Sequence, residues 1–198
     1  MADAAEVLRG GGVIALPTET FYGLAADAFH EEALGRLNRL KNKARDAPIL
    51  LLLGEAGQVS LVARDLPRPF AALAARFWPG PLTLVVPAGE DLSPQISGGR
   101  GTVAIRVPGL VLPRAVALRL GRPITGVSAN LHQAAPARTA QEALRSFGEG
   151  LDLVLDGGPA TGAKPSTILD LSGPRPRLLR EGMVTVQALA EIVSGFEA

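Results

Sequence analysis

Chemistry in this sequence must come from groups other than thiols, because it holds no cysteine, and it has only two histidines. Disulfides, thiolate metal sites and a cysteine nucleophile are thereby excluded. His30 and His132 lack the partner spacing of a metal site or a catalytic triad. Neither a Walker A lysine loop nor a Gly-x-Gly-x-x-Gly dinucleotide turn occurs, so a bound nucleotide would need another arrangement. Pro17-Thr18-Glu19-Thr20-Phe21-Tyr22-Gly23 carries small hydroxyls where a buried strand ends, which suits a ligand contact or a capped turn. Lys41 and Lys43 are two of only three lysines, set against seventeen arginines. Cations at a helix end complement its partial negative charge, and they also neutralise charge that shifts between phosphoryl oxygens. Arg106 interrupts the alternation of Thr102-Val103-Ala104-Ile105-Arg106-Val107 and shares a face with Thr102. At ~3.3 Å per residue the two lie about 13 Å apart, which leaves room for two parts of a ligand on one wall. A buried structural ion pair is the other reading of Arg106. Ser128 and Asn130, Ser166, and Arg180 each stand at a strand end, as ligand contacts or as turn residues.

The elements that must position these residues follow from periodicity. Ala33, Leu34, Leu37 and Leu40 recur at helical spacing, with acids at the front and bases behind, which predicts a helix over 31–40. Shorter helices are predicted over 4–8, 69–77, 113–120, 141–147 and 186–193. Apolar runs over 13–16 and 48–54 read as buried strands. Trp78-Pro79-Gly80-Pro81 is a rigid turn into a strand over 82–86. Further strands are predicted over 102–107, 124–128, 153–155, 167–170 and 177–180. The mixture implies an α/β or α+β sandwich built on one large twisted sheet.

With 198 residues, 47% of them hydrophobic, the chain is expected to close one core as a single domain. No apolar run approaches the roughly 18 residues of a membrane span, and the start lacks a basic segment followed by a hydrophobic one. A soluble, cytoplasmic, unexported protein without membrane contact is expected. A net charge of +1 argues against a protein that coats nucleic acid, so any anion site must be local.

Seven segments, taken in order, resemble the YrdC-type threonylcarbamoyl-AMP synthase family over residues 13–182. They are Leu16-Pro17-Thr18-Glu19-Thr20-Phe21-Tyr22-Gly23-Leu24, Lys41-Asn42-Lys43 with Pro48, Phe77-Trp78-Pro79-Gly80-Pro81-Leu82-Thr83, Thr102 to Pro108, Ser128-Ala129-Asn130, Ser166-Thr167-Ile168 and Leu179-Arg180-Glu181-Gly182. The resemblance implies the YrdC-like fold: an open twisted mixed sheet with flanking helices and a concave, positively lined cavity. The additional C-terminal domain of longer members is expected to be absent. The implied reaction joins L-threonine, bicarbonate and ATP into threonylcarbamoyl-AMP and pyrophosphate, for threonylcarbamoyladenosine modification of tRNA.

By the same resemblance Thr20, Arg106 and Ser166 hold threonine. Lys41, Lys43, Thr102, Ser128, Asn130 and Arg180 line the ATP side, with Lys41 and Lys43 as the catalytic cations. Magnesium is expected to arrive with the triphosphate, and no protein metal site is expected. Implied partners are the downstream tRNA threonylcarbamoyl-transfer proteins and a weak contact with tRNA or double-stranded RNA. Three departures stand out. Lys43 replaces the usual arginine of Lys-x-Arg and loses its planar fork. The loop Leu131 to Arg138 departs from the family's serine-rich stretch. Leu52 stands where some members carry a histidine near threonine. A double-stranded-RNA or ribosome-precursor binding module and a divergent paralogue without synthase activity are the alternatives. The related carbamoyl-transfer module of hydrogenase maturation works within a longer chain with zinc-binding cysteines, and this sequence has none.

Overall fold

Alternation and helical stripes determine which side of each element meets the core. The computed structural model of the chain describes residues 2–42, 47–131, 134–162, 164–193 and 195, so Lys43 and His132 lie outside the described residues. Helix α1 (Ala2–Arg9) buries Ala4, Ala5 and Leu8. It leads to strand β1 (Ile14–Pro17), which turns through residues 18–21 into its antiparallel partner β2 (Tyr22–Ala25). The sequence pattern does not announce β2, because Gly23 and Ala25 are weak strand formers; pairing with β1 overrides that preference. Helix α2 (Glu31–Leu40) fills its predicted span, buries Ala33, Leu34 and Leu37, and ends at Lys41. His30 caps its start by accepting from the Ala33 amide at 3.4 Å.

Strand β3 (Leu50–Leu52) follows, then a short 3-10 turn over Ala56–Leu61, helix α3 (Phe70–Phe77), strand β4 (Leu82–Pro87), short helix α4 (Pro94–Ser97) and strand β5 (Thr102–Arg106). Helix α5 (Val111–Leu120) leads to two short strands, β6 (Ile124–Thr125) and β7 (Val127–Ser128). Helix α6 (Ala140–Phe147), strands β8 (Leu153–Val154), β9 (Thr167–Asp170) and β10 (Arg177–Arg180), and helix α7 (Val186–Ala190) complete the order.

The strands form two mixed sheets, one with order β7-β2-β1-β8 and one with order β10-β9-β4-β5-β3-β6. The mixed α/β class stands, but the expected single sheet is divided. The division falls within the predicted strand 124–128, which belongs to one sheet through β6 and to the other through β7. At the crossing, the Gly126 amide donates to the Leu50 carbonyl at 2.7 Å and the Thr125 amide to the Ala26 carbonyl at 2.9 Å. A Cβ on Gly126 would stand 2.6 Å from Leu52 Cγ, so the two sheets approach this closely only because the residue there has no side chain.

One face of the six-stranded sheet is core: Leu51, Leu82, Leu84, Val86, Val103, Ile105 and Leu169 join α2, α3 and α7 residues in one apolar cluster. A second cluster packs α1 and α5 over Ile14, Leu16, Leu52 and Ile124. With period two along each strand, the residues between those core positions emerge on the opposite face. That face is the floor of the site. Among the described residues, no helix is long and apolar enough to cross a membrane.

Candidate active site

An open cavity of about 940 Å³ lies over this floor, at the upper end of the range that suits a drug-sized or nucleotide-sized ligand. Thr83 and Val85 of β4, Ala104 and Arg106 of β5, and Ser166 and Ile168 beside and on β9 reach it from the floor. The 18–21 turn contributes Thr18 and Thr20, the end of α2 contributes Lys41, and the crossing segment contributes Ser128 and Asn130. Lys41, Arg106 and Arg180 line the cavity, and no aspartate or glutamate does, among the described residues. Such a lining favours anionic ligands.

Arg106 is 3% exposed, and its Nη1 lies 3.5 Å from Glu19 Oε1, a residue 14% exposed. Both Glu19 oxygens and Arg106 Nε are buried without a hydrogen-bond partner, so the contact is an ion pair and not a hydrogen-bonded clasp. Burial pulls the Arg106 pKa below the ordinary arginine value; Glu19 opposes that shift and the neighbouring Arg180 adds to it. The two readings of Arg106 are therefore both realised: it is paired structurally and it faces the cavity.

Arg180 reaches the same wall through a bulge. Leu178 pairs with Leu169 and Arg180 with Ile168, so β10 advances two residues while β9 advances one. The extra residue turns Arg180 toward the cavity side of β9. Its Nε and Nη2 donate to the Ser166 carbonyl at 3.1 and 2.9 Å, and Nη2 donates to Ser166 Oγ at 3.2 Å. Ser166 Oγ also lies 3.0 Å from Thr83 Oγ1, and both residues are buried. Partial burial of its guanidinium pulls the Arg180 pKa down. Arg180, expected with the ATP side, thus stands beside Ser166, expected with the threonine side, because the bulge brings them together.

The 18–21 turn closes on Thr18. Its hydroxyl donates to the Phe21 carbonyl at 2.8 Å and accepts from the Thr20 amide at 3.2 Å. Since that donation uses Thr18's one hydroxyl proton, the 2.8 Å contact between the two threonine hydroxyls must be donated by Thr20. Thr20 then presents acceptor lone pairs, suited to a ligand ammonium or hydroxyl.

Lys41 Nζ donates to the Ser128 carbonyl at 2.7 Å, to the Asn130 carbonyl, and to Asn130 Oδ1 at 3.0 Å. Asn130 Oδ1 in turn accepts from Ser128 Oγ at 2.6 Å, and the amide nitrogen donates to the Leu131 and Ala134 carbonyls. The atypical loop therefore still holds the Asn130 side chain. Lys41, Ser128 and Asn130, far apart in sequence, meet at this rim.

Thr102 does not line the cavity: it lies at the far end of β5, opposite Pro87. Leu52 does not line it either, being fully buried in the α1/α5 cluster. Thr83 and Glu19 are the positions that residue pattern leaves unassigned. Thr83's signal is its place between two leucines that face the core, which puts its hydroxyl on the other face.

Over residues 6–182 the chain matches the profile of the Sua5, YciO and YrdC family, described as telomere recombination. The chain belongs to this family. It is 35% identical over 194 residues to the threonylcarbamoyl-AMP synthase of Pyrococcus abyssi (strain GE5 / Orsay), covering 96% of this chain and 56% of that one. It is 40% identical over 165 residues to the threonylcarbamoyl-AMP synthase of Thiobacillus denitrificans (strain ATCC 25259 / T1), covering 83% of this chain and 87% of that one. Among solved structures, P. abyssi Sua5 complexed with L-threonine matches with a TM-score of 0.95 and 33% identity, over 99% of this chain and 58% of that one. The chain thus spans little more than half the length of its Pyrococcus relative. The YrdC-like fold expected from the seven segments is the fold found.

Proposed function

We propose that this family member is a threonylcarbamoyl-AMP synthase. The observation that carries the reading is the cavity itself: a wall with Lys41, Arg106 and Arg180 and no acid among the described residues, in a fold shared with a Sua5 that binds L-threonine. In the proposed reaction the threonine amine condenses with bicarbonate, losing water, to give a carbamate. A carbamate oxygen then forms a bond to the α-phosphorus of ATP while the bond to the bridging oxygen breaks and pyrophosphate leaves. No protein nucleophile is needed; proximity, charge neutralisation and shelter from water are.

On this reading Arg106 takes the threonine carboxylate, because it lines the cavity and its guanidinium forks onto a carboxylate. The acceptor lone pairs of Thr20 and the Ser166 hydroxyl hold the polar groups of the same substrate. Lys41, with Ser128 and Asn130, takes the triphosphate rim; Lys43, outside the described residues, is proposed as a second phosphate cation from the resemblance. Arg180 stands between the two substrates, near the carbamate. Magnesium enters as part of the ATP substrate. The product is a mixed anhydride, which water destroys unless an acceptor takes it first; a tRNA threonylcarbamoyl-transfer protein is the proposed acceptor, and the proposed location is cytoplasmic.

The test is pyrophosphate release from MgATP by the purified chain, with threonine and bicarbonate omitted in turn. Release that requires both supports the synthase. Release indifferent to either omission, or none with all three present, overturns it.

A further inference from the structure

Glu19 is a largely buried carboxylate that the proposed reaction does not use. It belongs to the 18–21 turn, yet its carboxylate does not line the cavity and both its oxygens are buried without a hydrogen bond. Among the described residues its ionic contact is Arg106 Nη1 at 3.5 Å, which brings opposite charges together without hydrogen-bond geometry. Arg106 in turn feels the positive charge of Arg180. Two guanidiniums that line one cavity repel each other, and removing a buried countercharge is strongly destabilising. The cavity lining supplies no other anion among the described residues.

We propose that Glu19 is a positioning residue, the resident counter-ion of the arginines that line the cavity: from behind the wall it offsets the buried charge of Arg106 without taking up its Nε donor. Its role is charge and not grip, as the missing hydrogen bonds show. The ligand's identity as threonine rests on the function proposed above, whereas the counter-ion role rests on geometry alone. In ligand-free protein Glu19 is one negative charge set against two positive ones. A bound carboxylate supplies the second, so Glu19 and the ligand share one electrostatic task. Loss of Glu19 should therefore hurt the empty cavity more than the filled one.

The experiment is thermal unfolding of wild type, Glu19→Gln, Arg106→Gln and the double variant, each without ligand, with sodium acetate, and with L-threonine. Glu19→Gln keeps the shape and removes the charge; its ligand-free melting temperature should fall by roughly 10 °C. Threonine and acetate should each raise that temperature more in Glu19→Gln than in wild type. The double variant should melt above Glu19→Gln and lose the ligand response. If Glu19→Gln does not fold but the double variant does, the counter-ion role is upheld. An equal loss with and without carboxylate, a double variant no more stable than Glu19→Gln, or failure of both to fold overturns it. Should acetate but not threonine act, with the double variant rescued, the counter-ion stands and the threonine reading falls.

Discussion

The two ends of the cavity hold their cations in opposite ways. At the floor, Arg106 is buried, ion-paired without a hydrogen bond, and has a donor to spare. At the rim, the Lys41 ammonium is clasped by the Ser128 and Asn130 carbonyls and the Asn130 side chain, all residues of the segment where the two sheets cross. A guanidinium fixed in a sheet offers one geometry, which suits a planar carboxylate; an ammonium on a flexible stem exchanges neutral carbonyl partners for charged oxygens at modest cost. On the proposed reading the floor suits recognition of one planar group, and the rim suits a phosphate chain whose charge shifts during reaction.

The sharpest way to break this contrast is Lys41→Ala. If the rim neutralises phosphate charge in the transition state, pyrophosphate release at saturating threonine should fall by about 10²–10³-fold. The partly buried side chain belongs to neither apolar cluster, so the melting temperature should hold. Turnover within twofold of wild type would leave Lys41 only as the clasp on Ser128 and Asn130.

Arg106→Lys probes the other end. Charge is kept and the fork is lost, so threonine affinity should weaken by roughly ten- to a hundredfold, for about 1.5–3 kcal/mol, with ATP affinity unchanged. Titrating each substrate separately reads the result. Weakened ATP binding with an unchanged threonine response would reverse the assignment of the two ends.

Gly126→Ala tests whether the crossing that carries the rim depends on close approach. A Cβ there meets Leu52 Cγ at 2.6 Å, so overpacking should cost about 1–3 kcal/mol in denaturant unfolding. The same substitution in a Leu52→Ala background should cost less, because the two sites share the clash. Equal costs in both backgrounds would mean that the sheets adjust without Leu52.

Much of this arrangement is legible along the chain, and the exceptions share a cause. The helical stripe of Glu31–Leu40 and the strands Thr167–Asp170 and Arg177–Arg180 coincide with their predicted spans because local periodicity and burial agree there. Thr20, Lys41, Arg106, Ser128, Asn130, Ser166 and Arg180, all quoted in the resembling segments, line the cavity. What is not legible depends on partners distant in sequence. The break at Gly126 is set by Leu52, β2 by its pairing with β1, and the aim of Arg180 by a bulge against β9. Thr102 shares a strand face with Arg106, but alternation cannot tell how far along the strand the cavity extends, and it stops short.

The smallest effect separates a site hydroxyl from a structural one on neighbouring strands. Thr83 Oγ1 lies 3.0 Å from Ser166 Oγ on the cavity side, whereas Thr167 Oγ1 donates to the Val184 carbonyl at 2.6 Å and accepts from the Gly182 and Val184 amides. Thr83→Val should therefore free the Ser166 hydroxyl to turn while Arg180 Nη2 still holds it from one side. Loss of one neutral hydrogen bond is worth about 0.5–1.5 kcal/mol, so the KM for threonine should rise roughly two- to tenfold, with kcat and the KM for ATP little changed. Thr167→Val leaves two buried amides unpaired and should instead lower the unfolding free energy without moving the threonine KM. Steady-state kinetics and denaturant unfolding on both variants decide the matter. If Thr83→Val lowers only stability, its hydroxyl belongs with that of Thr167 and Ser166 is oriented by Arg180 alone.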